Sequence, residues 1–115
     1  MSKPIRKYSD TITVSSGGGT ATTEDFLTLK NAGGYLEQVL SKAPSGNWTF
    51  DFKITDSDGY DVFEKMGARG KINEVPHVPL PAGTYTITIS NTKKNDNVTD
   101  GDGVYSFKFL LKEIW

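Results

Sequence analysis

The chain contains no cysteine. That alone excludes a disulfide framework and a thiolate metal site. It contains a single histidine, His77. A metal site built on one imidazole would have to draw its other ligands from carboxylates. No apolar run comes near the roughly 20 residues that cross a bilayer. The opening "MSKPIRKYSD" lacks the pattern of a signal peptide. We therefore expect a chain made in the cytosol, with no membrane contact. The formal net charge is −1, so the basic surplus of a general nucleic-acid binder is missing. The glycine-containing segments "SSGGGT" and "GARGK" fit neither a P-loop nor a dinucleotide fingerprint.

What the chain does hold is threonine, glycine, serine and aromatics. That is the composition of strands joined by turns. Its 115 residues make one domain. A domain of that size buries about two thirds of its unfolded surface, so a core is possible without staples. The clearest element is "NWTFDFKIT". Trp48, Phe50, Phe52 and Ile54 face one way, and Thr49, Asp51, Lys53 and Thr55 the other. A period of two marks a half-buried strand. The same alternation puts Tyr85, Ile87 and Ile89 of "GTYTITISN" inward. It does likewise for Tyr105, Phe107, Phe109 and Leu111 of "VYSFKFLLKEIW". Ile12 and Val14 mark a strand from about residue 8. "DFLTLKN" is another, with Phe26 and Leu29 inward.

In "AGGYLEQVLSKAPSG", Leu36, Val39 and Leu40 have helical spacing. Glycines before the run and Pro44 after it leave about nine residues, too few for a helix without support. The segment reads as a strand. Pro76, Pro79 and Pro81 confine "GARGKINEVPHVPLPAG" to an edge or an extended loop. The fold class is therefore all-β. We expect a two-sheet antiparallel β-sandwich, jelly-roll or Ig-like, with seven to eight strands. Residues 1–7 read as a basic N-terminal arm and 8–115 as the sandwich.

The stretch "ITDSDGYDVFE" opens like a calcium loop. A calcium loop of the EF-hand type needs oxygen ligands at positions 1, 3 and 5, glycine at 6 and glutamate at 12. Counted from Asp56, those later positions hold Tyr60, Asp61 and Gly67. The pattern breaks, and "DSDG" reads better as hairpin chemistry. A second acidic stretch, "NDNVTDGDG", offers Asp96, Asp100 and Asp102. Asp56, Asp58, Asp100 and Asp102 could share a calcium ion only if both loops met at one end of the sandwich. No cofactor is expected. His77 sits between two Val-Pro pairs with no nucleophile elbow anywhere. No acid, base and nucleophile can be named together, so no enzyme is expected. The residues that could meet a partner are Lys3, Arg6 and Lys7 of the arm and the terminal Trp115. Tyr35, Tyr60 and Trp115 fall outside the core pattern, as sugar-stacking or interface aromatics do.

The run "GYLEQVLSKAPSGNWTFDFKITDSDGYDVFEKMGARG", with the later "VPLPAGTYTITISN", resembles small β-sandwich structural proteins of tailed bacteriophages. Those proteins carry a "GYL/I" strand, a strand ending in "ITDxDG" and a later "PLxGxYTITISN". The resemblance covers about residues 33 to 115. It implies a non-enzymatic virion protein, assembled in the host cytoplasm. The role it implies is head decoration or cement, as a trimer on the major capsid protein that braces adjoining capsomers. A neck or tail accessory role fits almost as well. It assigns no catalytic residue. The residues also allow a carbohydrate-binding module with exposed aromatics and a structural calcium.

Overall fold

The computed structural model describes residues 5–14, 22–29, 34–94 and 101–113, with side chains for 7–14, 34–94 and 101–112. Nine strands run through them: β1 (Ile5–Val14), β2 (Thr22–Leu29), β3 (Gly34–Lys42), β4 (Thr49–Thr55), β5 (Asp61–Arg69), β6 (Lys71–Glu74), β7 (Val78–Leu80), β8 (Gly83–Lys93) and β9 (Gly103–Glu113). β1 begins at Ile5, so Ile5, Arg6 and Lys7, expected in the arm, run in a strand. The ambiguous segment is a strand, β3. The side chains of Phe26 and Leu29 lie outside the described residues.

The strands form two sheets, ordered β1-β9-β3-β6 and β2-β8-β4-β5, with the short β7 also on β3. Every pairing is antiparallel. The pairing is nested. β1 meets β9, β2 meets β8, β3 meets β6 and β4 meets β5. That is one long hairpin rolled up so that β9 lies on β3 and β8 on β4. Nested pairing makes the sandwich a jelly roll rather than an Ig-like fold. β5 and β6 are separated by one residue, Gly70, and lie in different sheets. With the fragment β7 set aside, the two sheets hold eight strands, four in each path.

Gly70 is the corner. Its φ is +75°, in the region that favours glycine. A Cβ there would lie 2.7 Å from the carbonyl oxygen of Gly46. The Gly70 N–H donates to the Trp48 carbonyl at 2.7 Å, and its carbonyl accepts from the Ala43 N–H at 2.8 Å. The corner is thus tied to the β3–β4 connection.

The period of two does what the sequence implies. Phe50, Phe52 and Ile54 of β4, Ile87 and Ile89 of β8, and Phe109 and Leu111 of β9 are all buried between the sheets. Trp48 departs from expectation. It precedes β4 and is only half-buried at the sandwich mouth, against Gly103 and beneath the Lys94 ammonium.

Two tyrosines tie down loops at opposite ends. The Tyr85 hydroxyl donates to the Pro81 carbonyl, and the Tyr105 hydroxyl donates to the Gly101 carbonyl at 2.7 Å. Each sits third in its strand and reaches back four residues, a tyrosine-corner device. Burial pushes both hydroxyls above the ordinary tyrosine range; the charge of Asp56 adds to this for Tyr85, while for Tyr105 a hydrogen bond with Thr92 works against it and the charge of Asp102 adds to it. A raised pKa means that the folded state keeps protons the unfolded chain has released. The resulting stability is full below about pH 10, the unfolded value, and is lost as pH rises through the folded values. Tyr85→Phe and Tyr105→Phe should each cost about 1 kcal/mol at pH 7 through the lost hydrogen bond. The double variant should then lose less melting temperature than the wild type between pH 10 and 12. Parallel alkaline slopes for the two proteins would contradict this.

Candidate interaction surface

The acidic turn is built as hairpin chemistry requires. The Asp56 Oδ1 accepts from the N–H groups of Asp58 at 3.0 Å and Tyr60 at 2.8 Å. The Asp56 N–H donates to the Tyr60 carbonyl at 2.9 Å, and Gly59 takes φ +90°. The Asp56 carboxylate is therefore spent on its own backbone. Tyr60 is left 72% exposed at the tip.

The described acidic residues of the two stretches lie apart. Thr55, just before the turn, pairs with Thr86 near the start of β8. Gly101, beside Asp102, packs on the backbone of Thr92 near the end of β8. Six residues of strand, about 20 Å, separate those points. Asp56 and Asp58 thus lie at one end of the sandwich and Asp102 at the other; Asp100 and Asp96 lie outside the described residues. Among the described residues, Asp56 and Asp58 are thus not brought together with Asp102. Among the described residues no three His, Cys, Asp or Glu side chains gather to hold a metal.

His77 has a structural setting. Its Nδ1 lies 2.8 Å from the Glu37 Oε2, and its ring stacks on Tyr35 with centroids 5.0 Å apart. Glu37 sits at the bulge in β3 where the pairing with β9 shifts. The break between β6 and β7 lies over that bulge, and His77 pins it at a positive φ of 49°. Lys7 is exposed in β1. Lys3, the Arg6 side chain and Trp115 lie outside the described residues.

The surface with a concentrated chemistry is one the sequence did not single out. On the outer face of the first sheet, register aligns Ser9, Lys108, Leu40 and Asn73 in one row. The next row is Thr11, Ser106, Lys42 and Lys71. The rows line a groove of about 610 Å³ across four strands. Leu40 forms an apolar floor between lysines. Lys42, Lys71 and Lys108 make no ion pair among the described residues. Asp10 also lines the groove, and its Oδ1 accepts the Thr11 N–H at 2.8 Å. Lys7 and Lys112 extend the positive face beyond the groove. The second sheet presents a different face. There Lys53 is neutralised by Asp61 at 3.7 Å and Glu64 at 3.9 Å, among the threonines of β8.

Chains of known structure share this fold. A chain of the cyanophage Pam1 capsid asymmetric unit superposes with a TM-score of 0.59 over 97% of this chain and 87% of that chain, at 10% identity. FLHE superposes with a TM-score of 0.50 over 93% of this chain and 95% of that one, at 7% identity. At such identities the likeness is one of fold. No family model matches the chain, and no curated protein matches it by sequence.

Lys42 and Lys71 face each other directly across β3 and β6. Like charges so placed destabilise a sheet by a few tenths to about 1 kcal/mol. Lys71→Glu should therefore raise the melting temperature by a few degrees at low salt. The gain should shrink at about 1 M salt, where the screening length falls to about 3 Å. Thermal unfolding at the two salt concentrations checks this. A lower melting temperature for the variant would contradict it.

Proposed function

We propose that the chain is a non-enzymatic structural component of a virion, a decoration or cement protein on a phage head. The observation that carries this reading is the nested eight-strand order, a jelly roll like those found in viral capsids. The likeness in fold to a cyanophage capsid chain over 97% of the sequence supports it, as does the phage-like run from "GYLEQVL" to "TITISN". The inward positions are filled by large apolar side chains that support a core rather than a ligand chamber. His77, the one histidine, is engaged with Glu37 and Tyr35. In this reading the partner is the major capsid protein, the assembled form is a trimer, and the protein resides in the virion, joining it in the host cytoplasm. Nucleic acid and membrane are not its partners.

Lectin domains also use the jelly roll, but a sugar platform needs exposed, coplanar aromatic faces. Tyr35 gives a face to His77, and Tyr60 stands at a hairpin tip. Neither observation favours the carbohydrate reading.

The test is co-sedimentation with empty shells assembled from the major capsid protein of the same genome. Saturable binding at a fixed ratio to capsomers, with a raised shell-disruption temperature, is expected. Shells that neither carry the protein down nor gain stability would overturn the proposal.

A further inference from the structure

The groove and the hairpin tip carry complementary chemistry on one chain. The groove offers an apolar floor at Leu40 with Lys42, Lys71 and Lys108 around it. None of these ammonium groups has an ionic partner among the described residues. The β4–β5 tip offers the reverse pattern. Tyr60 is an exposed aromatic, with Asp58 and Asp61 on either side of it. The Asp58 N–H is held by Asp56, and Asp58 is exposed. Among the described residues, Asp61 has only a long, exposed contact to Lys53. The tip is also rigid. Four hydrogen bonds within residues 56–60 fix its shape, so little ordering is left to pay for on docking.

We propose that the 56–61 tip of one copy docks into the lysine groove of a second copy. Tyr60 seats on Leu40, and Asp58 and Asp61 meet the lysines. A central aromatic anchor ringed by charge pairs is the usual anatomy of a strong contact. It also explains why Lys42 and Lys71 oppose each other. Their mutual repulsion is relieved only when carboxylates arrive. Tip and groove are different surfaces, one at an end of the second sheet and one on the face of the first. The contact is therefore heterologous, and repetition closes a ring or propagates. A solution assembly of this kind needs no capsid, so its outcome is separate from that of shell binding.

The experiment is sedimentation of the purified full chain over a concentration series at low and high salt. The tip variant carries Asp58→Asn and Tyr60→Ala. The groove variant carries Lys42→Glu and Lys108→Glu. Wild type should self-associate, more tightly at low salt. Each variant alone should associate at least tenfold more weakly. Mixed, the two should form a 1:1 dimer that grows no further, because each supplies one intact surface. Thr88→Lys, on the outer face of the second sheet, should leave assembly unchanged. A wild type that stays monomeric, a mixture that stays monomeric, or an equal loss with Thr88→Lys would overturn the proposal. So would a groove variant that assembles normally but loses binding to a single-stranded oligonucleotide, which would make the groove a nucleic-acid site.

Discussion

Phe52 of β4 and Phe109 of β9 meet with ring centroids 6.1 Å apart, and both are fully buried. Strand ladders bind each sheet within itself. What holds one sheet to the other is side-chain contact of this kind. Phe63 continues the line at 6.2 Å on the β5 side, and Phe107 at 5.2 Å on the β9 side. Phe50 and Tyr105 make a second bridge at 5.3 Å. Each such ring contributes about 1.5–3 kcal/mol by burial. Aromatic pairing adds about 0.5–1.5 kcal/mol per contact. The faces that look outward are free to differ because the inner faces already secure the fold.

The rolled hairpin decides the rest. Nesting puts the first strand beside the last, so β9 lies between β1 and β3. That brings Lys108 beside Leu40, and Lys71 beside Lys42, from three stretches distant in sequence. The same nesting puts Asp56 and Asp102 toward opposite ends of β8. One topological fact thus separates these carboxylates and gathers the lysines of the groove. Gly70 makes it possible by carrying the chain from one sheet to the other in a single residue.

The strands were legible because a half-buried strand writes its burial every second residue. Phe50, Phe52, Ile54, Ile87 and Phe109 all follow that rule. The hairpin at Asp56 and Gly59 was legible because turn residues act on their own backbone. Trp48 was misplaced because alternation does not report where a strand begins. The groove was not legible at all. A lysine on an outer face looks solvated until register supplies its neighbours, and register is a long-range property. The loop ties of Tyr85 and Tyr105 have a local signal in the sequence. Both strands open with glycine, one residue, then tyrosine.

The proposed tip-to-groove contact makes the outer face of the first sheet the working face of the protein. Amine-reactive footprinting, read by mass spectrometry on the assembled form and on the form dispersed by salt, tests that most directly. Lys42, Lys71 and Lys108 should be shielded on assembly while Lys65, paired with Glu74, stays as reactive as before. Shielding of Lys65 with the groove lysines unchanged would contradict the account.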